Sequence, residues 1–362
     1  MKALLVLLCG LLLGGCETLS YYGHVSQGHL RVLHARQPVQ QLIDDPHTDP
    51  SLRERLAASQ RARDFASAQL KLPDNQSYRR YADLQRPYVV WNVFATPELS
   101  LKPIEHCFLI AGCVAYRGYY QPERAAQMAA KLKAEGNDTY VAGIEAYSTL
   151  GWFDDPLLNT LWRRTDEQVA GLIFHELAHQ QVYVPHDTVF NESFASFVEQ
   201  EGVRQWREAQ GLPRCSPNDG RQRQFLVLVL ASRERLATLY ASDLSDAEKR
   251  QGKAEEIARL RAEYAALRDG PWQGDARYDR WFAQPLNNAV LLPFGLYDQW
   301  VPAFAAWYQA VGDWPLFYQQ VAQVATWPNL EREAYLTRWL AANRSASTSV
   351  KPTRGKPWEC ES

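Results

Sequence analysis

The segment that most constrains this chain is FHELAHQ, residues 174–180. Residues four apart on a helix lie on the same face, one turn above the other. His175 and His179 can therefore offer two imidazole nitrogens to one cation, with Glu176 placed beside them. Two neutral His ligands, an open position for water and a carboxylate that accepts the water's proton are the parts of a catalytic zinc site. The segment predicts such a site.

Helical signals surround this segment. Thr165 is a suitable N-cap, and Gln168 three residues later completes a capping box. Apolar residues then recur at roughly helical spacing, which predicts a buried amphipathic helix. These residues are Val169, Leu172, Ile173 and Leu177.

A second predicted helix, 191–203, supplies candidates for the third metal ligand. Glu192 and Glu199 are seven residues apart, which places both on one face of that helix. Spacing alone permits either carboxylate to complete a His, His, Glu site. His186 lies between the two ligand segments and could compete as a ligand, although a loop His without a metal role is the more frequent case.

The string NESFASFVE, residues 191–199, bears on this choice. It resembles the NE-x6-E element of the gluzincin metallopeptidases, in which the Glu directly after Asn binds zinc. The Glu seven residues later supports the site from a second layer. The resemblance therefore implies Glu192 as the third ligand and Glu199 as the supporting carboxylate.

Longer strings that are spread along the chain carry a second resemblance. They are LPDN at 72–75, VWNV at 90–93, AGC at 111–113, YRGY at 116–119, AYSTLGWF at 146–153, HELAHQ at 175–180 and LNNA at 286–289. On these strings the chain is similar to a family of bacterial lipoproteins described as predicted zinc aminopeptidases. The two resemblances imply an α+β fold, predominantly helical, with a gluzincin-like core and a small β-sheet beside the HELAH helix. They also imply one Zn²⁺ and a peptide substrate.

Residues 1–15 have the pattern of an export signal. Lys2 precedes an apolar run that ends in LGGC at 13–16, a small-residue cleavage site. The apolar stretch is too short to span a membrane. The ending resembles the bacterial lipobox, which implies cleavage before Cys16 and a lipid on that residue; an ordinary secretory signal is the alternative. We therefore expect an exported lipoprotein at the outer membrane, on the periplasmic side of the envelope, anchored by lipid.

Four cysteines remain after the signal: Cys107, Cys113, Cys215 and Cys360. An even set in an exported chain suggests disulfides, and three pairings are possible. Cys107 and Cys113 are close in sequence, which favours them as one bridge, and Cys215 with Cys360 would follow by elimination. A cysteine metal site is the alternative, but the chain has no Cys-x2-Cys spacing.

Charge and composition exclude some functions and suggest one organisation. A net charge of −2 without a basic stripe argues against a nucleic-acid partner, and 46% hydrophobic residues suffice for a large core. We expect one metallopeptidase domain over 16–342. Its parts are an N-terminal helical and β part at 21–160, the zinc-site helices at 165–203 and a C-terminal helical part at 221–342, with a flexible tail at 343–362.

Strand and helix signals flank the two site helices. Strands are predicted at 88–94, within 107–120 and at 139–147. Helices are predicted at 126–134, 221–240 and 245–267, the last two as an antiparallel hairpin with a Ser245–Glu248 capping box. The gluzincin resemblance implies that the 139–147 strand is an edge strand over the site, where it can pair with an extended peptide. An internal structural strand is the alternative.

The predicted reaction is peptide hydrolysis, with Glu176 as general base. The developing oxyanion needs a donor besides the metal; Tyr297 is our candidate, and Tyr147 and Asn288 are further ones. Retention of Glu176 argues against a non-catalytic scaffold with a structural zinc. An envelope endopeptidase is the other alternative to an aminopeptidase, because the sequence shows no clear acidic element for a substrate's α-amine.

Overall fold

The computed structural model describes residues 2–108, 112–214, 216, 219–294 and 299–349, with the backbone alone at 2–17, 219 and 342–349. Its helices are α1 Lys2–His34, α2 Val39–Asp44, α3 Pro50–Ala68, α4 Pro122–Ala134, α5 Asp166–Gln181, α6 Thr188–Ala209, α7 Asp219–Ala241, α8 Asp246–Asp269, α9 Asp279–Ala283, α10 Asn288–Leu291, α11 Val301–Val311, α12 Trp314–Ala325 and α13 Asn329–Ser349. Its strands are β1 Arg36–Pro38, β2 Arg80–Ala82, β3 Val90–Pro97, β4 His106–Phe108, β5 Gly112–Val114, β6 Tyr116–Tyr119, β7 Asn137–Ile144 and β8 Leu157–Leu158. The prediction of a mainly helical fold with small sheets is confirmed.

The longest sheet has the antiparallel order β6-β3-β7. Phe94 in the central strand lies opposite both Tyr116 and Tyr140. Because side chains alternate along a strand, one face buries Val93 and Ala95 against α4, and the other packs Phe94 against α10. β7 is an edge strand of this sheet, as predicted. Its place over the site stays a prediction.

Two further sheets complete the β-structure of the described residues. β4 and β5 form a hairpin that the predicted Cys107–Cys113 disulfide closes. β2 pairs antiparallel with β1 and parallel with β8, an arrangement that the sequence did not predict. Cys215 and Cys360 lie outside the described residues.

One large apolar core surrounds the two central helices. It joins α3, α5, α6, α11 and α12 and includes the fully buried rings of Phe174, Phe194, Phe304 and Phe317. Each buried Phe contributes about 1.5–3 kcal/mol by removal of its surface from water. The core therefore holds α5 and α6 rigidly against each other, and both carry predicted site residues.

A second apolar cluster lies between α7, α8, α9 and α10. The Ser245–Glu248 capping box at the start of α8 is present as predicted. Tyr264 stacks on Phe282 with ring centroids 3.9 Å apart, which ties α8 to α9. Asn288 begins α10 and donates to the carbonyl of Glu98 at 2.8 Å, so this cluster is fastened to the chain after β3.

The C-terminal helix α13 extends further than the sequence predicted. α13 continues to Ser349, into the segment 343–362 that was predicted as a flexible tail. Ser and Thr lower helix propensity only slightly, so they do not end a helix that is already formed. Within the described residues no helix is both long and apolar enough to cross a membrane.

Candidate metal centre

α5 has the local signals that begin and orient a helix. Thr165 accepts from Gln168 N, and the Gln168 side chain accepts from Thr165 N, so the predicted capping box is present. Two acidic residues in the first turn suit the positive end of the helix dipole. Burial of its apolar face in the large core fixes the rotation of α5 and brings the rings of His175 and His179 to 4.9 Å.

The start of α6 is fixed by two residues that precede Glu192. Asp187 caps the helix by accepting from Phe190 N at 3.1 Å, and Arg332 of α13 donates to it at 2.6 Å. Asn191, 2% exposed, accepts from the backbone N of Val184 at 2.8 Å and donates to its carbonyl at 2.7 Å. The loop between α5 and α6 is thereby closed, and Glu192 is directed toward α5.

The three predicted ligands converge. His175 Nε2 lies 3.2 Å from His179 Nε2 and 3.3 Å from Glu192 Oε2, and His179 Nε2 lies 3.5 Å from the same oxygen. Atoms held about 2.0–2.1 Å from a tetrahedral zinc stand about 3.3–3.4 Å apart. Of the described residues, only this trio forms a His, Cys, Asp or Glu group of a size suited to a metal ion. The donor set and its spacing fit Zn²⁺.

Glu199 occupies a different position from Glu192. Its Oε2 lies 3.0 Å from Nδ1 of His175, on the far side of the imidazole from the converging atoms. This contact orients the ring so that Nδ1 faces Glu199 and Nε2 faces the converging group. Gly171, one turn before His175, allows the approach, because a Cβ there would lie 3.2 Å from Glu199 Oε1. A glycine inside a helix costs about 1 kcal/mol, so the close approach accounts for it.

The His175 and Glu192 side chains shift each other's pKa values. Burial lowers the pKa of His175, but hydrogen bonds to Glu192 and Glu199 raise it well above its usual value. Burial raises the pKa of Glu192, and hydrogen bonds to the two histidines lower it to about 2. The carboxylates therefore favour the protonated form of His175, and the two histidines favour the ionised form of Glu192. A metal ion must displace that proton, because only the neutral imidazole is a ligand.

Glu176 lies beside the three donors without joining them. Its carboxylate accepts no hydrogen bond from the described residues and is not part of the converging group. Burial raises its pKa, whereas the neighbouring histidines lower it. A carboxylate next to a cation position, with free lone pairs and a raised pKa, has the properties of a general base.

The three predicted oxyanion donors are one residue outside the described part of the chain and two residues that make other hydrogen bonds. Tyr297 belongs to the undescribed segment 295–298. The Tyr147 hydroxyl lies 2.7 Å from His29 Nδ1 and accepts from the Tyr120 hydroxyl, and neither contact involves a ligand. Asn288 is fully buried, and its side-chain amide donates to two backbone carbonyls. Tyr147 and Asn288 make these hydrogen bonds in the structure, and their role as oxyanion donors stays a prediction.

His186, the possible rival ligand, makes a different contact. Its ring packs against Gly112 of β5, where an added Cβ would lie 2.3 Å from Cε1. It does not belong to the converging group. The contact links the disulfide-closed hairpin to the loop that precedes Glu192.

Two tyrosines near Glu192 were not identified from the sequence. Burial raises the pKa of Tyr116 and of Tyr183, and the Glu192 charge raises both further. Tyr116 packs on Phe94 with ring centroids 5.4 Å apart. Alternation along β6 separates Tyr116 from Tyr119, but the sequence does not say which face meets the site.

Comparison with known proteins gives one match. A family model described as "Putative aminopeptidase" matches residues 20–336, which include both site helices. No curated protein and no solved structure matches the chain. The match covers most of the 362 residues, and the chain therefore belongs to this family.

Proposed function

We propose that this protein is a zinc-dependent peptidase, of the aminopeptidase type, in which His175, His179 and Glu192 hold one Zn²⁺. The observation that carries the proposal is the convergence of these three donors at 3.2–3.5 Å, with Glu176 free beside them. Family membership supports the aminopeptidase reading. The order of helices and ligands suits a gluzincin-like core, which belongs to the same proposal.

Each residue has a distinct part in the proposed reaction. Zn²⁺ held by His175, His179 and Glu192 would lower the pKa of a bound water and polarise the scissile carbonyl. Glu176 accepts the proton of the attacking water and delivers it to the leaving amine. Glu199 holds His175 in the tautomer and orientation that ligation requires, through the 3.0 Å contact to Nδ1.

A purely structural zinc site does not account for Glu176. Structural sites are closed by four protein ligands, whereas three ligands and an open position are typical of catalytic ones. Here three donors converge, and the neighbouring carboxylate is not the fourth. Placing Glu176 in a partly buried site raises its pKa, a cost that catalysis explains and a scaffold does not.

The mature protein should bind about one zinc and hydrolyse peptides only when loaded. His179→Ala should lose both zinc and hydrolysis, because it removes one of three metal bonds. His186→Ala, which alters a histidine outside the converging group, should keep both.

Zinc affinity should rise with pH until His175 is deprotonated, since its pKa is raised in the metal-free site. Elemental analysis, zinc titration and a peptide assay measure these results.

The same assay separates exopeptidase from endopeptidase activity. An aminopeptidase should release single residues from peptides with a free N-terminus and leave N-acetylated peptides intact. Equal internal cleavage of both peptides would identify an endopeptidase. Zinc content in His179→Ala equal to that of the wild type would show that the proposed centre is wrong.

Membrane attachment through Cys16 is a separate part of the proposal. It is supported by the LGGC string at 13–16 and places the enzyme on the periplasmic side of the envelope. Cys16→Ser should abolish incorporation of labelled fatty acid and release the protein from the membrane fraction. Unchanged labelling in that variant would contradict lipidation at Cys16.

A further inference from the structure

Tyr78 combines two unfavourable features at one residue. Its side chain is 1% exposed, and its hydroxyl has no hydrogen-bond partner among the described residues. Its backbone φ is +64°, in the left-handed region that residues with a Cβ rarely adopt. An unpaired buried hydroxyl and a strained backbone both cost free energy. A phenylalanine would fill the same space without the first cost.

The segment 73–78 is held in place by hydrogen bonds from Arg63. Arg63 of α3 is completely buried, and its guanidinium donates to the carbonyls of Pro73, Asn75 and Ser77 at 2.9–3.0 Å. The strained conformation of Tyr78 is thus imposed by a buried cation that satisfies the carbonyls of the loop before it.

The backbone of Tyr78 itself is fixed on both sides. Its N donates to the carbonyl of Asp155 at 2.6 Å, and its carbonyl accepts from Gln60 Nε2 at 2.9 Å. The position of the ring is therefore determined by contacts to two separate parts of the chain. Because the backbone of Tyr78 is fixed, a hydrogen bond from its hydroxyl requires the acceptor group to move toward it.

Gln180 attaches this loop to the face of α5 that carries the general base. Its Nε2 donates to Ser77 Oγ at 3.2 Å, and its Oε1 accepts from Asn75 Nδ2 at 2.7 Å. Gln180 is four residues after Glu176 and lies on the same helix face, one turn away. Ser77 is bonded to that face, and Tyr78 is the next residue. The loop therefore covers the side of α5 from which Glu176 projects.

The loop that ends at Tyr78 and the face of α5 that carries Glu176 are thus neighbouring segments. The Tyr78 hydroxyl is a donor without an acceptor, and the Glu176 carboxylate accepts no bond from the described residues. Burial raises the pKa of Tyr78, and the charge of Glu176 raises it further, which agrees with the neighbouring positions of the loop and α5. Glu176 has three side-chain torsions and Tyr78 is fixed, so Glu176 is the group that can move.

We propose that Tyr78 is a positioning residue whose hydroxyl donates to one oxygen of Glu176 during catalysis, leaving the other oxygen to accept the water's proton. The inference rests on the proposed function and adds a residue to it. The proposal explains why a tyrosine occupies a buried position in which its hydroxyl has no other hydrogen-bond partner among the described residues. The unpaired Tyr78 hydroxyl lowers the stability of the resting protein. In the proposed catalytic state, this hydroxyl donates to Glu176.

Tyr78→Phe separates this role from a structural one. Removal of an unpaired buried hydroxyl should leave Tm unchanged or raise it by about 2–4 °C. The kcat should fall by about 10- to 100-fold, because the base is no longer oriented. KM and zinc content should not change, since neither substrate contacts nor ligands are altered. Thermal unfolding of the metal-free protein gives a readout that does not depend on activity.

Tyr318→Phe is the matched control. Tyr318 is also buried, at 2% exposure, but its hydroxyl donates to the carbonyl of Leu70 at 2.9 Å. This variant should therefore lower Tm and keep kcat, the opposite of the result at Tyr78. The pair distinguishes loss of a structural hydrogen bond from loss of a functional one.

Other results would overturn either the Tyr78 inference alone or the proposed function together with it. An unchanged kcat in Tyr78→Phe, or a fall in kcat accompanied by a fall in Tm like that of Tyr318→Phe, overturns the inference alone. A wild-type protein that binds no zinc and cleaves no peptide overturns the proposed function and this inference with it. The wild-type assay identifies that case before any variant is compared.

Discussion

Glu176→Gln should retain zinc and the fold while lowering kcat by about 10²- to 10⁴-fold. The amide has nearly the shape of the carboxylate but cannot accept the water's proton. The carboxylate makes no hydrogen bond to the described residues, so the exchange breaks none of them. Its pKa is raised by burial, so a neutral amide should be tolerated by the metal-free protein at least as well. Zinc analysis, Tm and steady-state kinetics of one preparation measure all three.

Glu208→Gln is the control for the chemical change itself. Glu208 is 48% exposed on α6 and pairs with Arg214 at 3.4 Å, away from the three donors. An exposed pair of this kind contributes little, so this variant should match the wild type in every measurement. Peptide cleavage by Glu176→Gln at the wild-type rate would remove Glu176 from the mechanism and require another base.

The structural features that were predicted correctly have local signals. The Thr165–Gln168 capping box and the apolar spacing after it define α5 within a single stretch of sequence, and the structure places α5 there. The i, i+4 relation of His175 and His179 follows from helix geometry alone. The disulfide Cys107–Cys113 spans six residues and needed only a short hairpin.

The start of α6 shows where local reasoning failed. The sequence predicted a helix from Asn191, but α6 begins at Thr188 with Asp187 as its cap. Asn is a common N-cap, yet the Asn191 amide bonds both backbone groups of Val184 instead. An amide that closes a loop and an amide that caps a helix have the same sequence signal, and only the tertiary contact distinguishes them.

Other features depend on contacts between distant segments. Arg63 and Gln180 define the loop that carries Tyr78, and each does so from another helix. Nothing in the string LPDN predicts a left-handed Tyr78 three residues later. Likewise, the parallel pairing of Tyr81 with Leu157 has no sequence signature, because both strands are too short to show a period.

The choice between Glu192 and Glu199 was left open by spacing, and the second large prediction tests it. Glu192 Oε2 lies 3.3 and 3.5 Å from the two Nε2 atoms, whereas Glu199 meets only Nδ1 of His175. Glu192→Ala should therefore lose a metal bond and empty the site under mild chelation. Glu199→Ala should keep zinc and lose about 10- to 100-fold in affinity or activity. A chelator titration of both variants measures the difference.

Glutamine substitutions make the same test without opening a cavity. Glu199→Gln should be milder than Glu199→Ala, because the new amide still offers an oxygen to Nδ1 of His175. Glu192→Gln should resemble Glu192→Ala, because an uncharged amide is a poor substitute for a carboxylate ligand of Zn²⁺. If Glu199→Ala empties the site and Glu192→Ala does not, Glu199 is the ligand. α6 would then have to be shifted by about two turns, which the bonds of Asn191 to Val184 oppose.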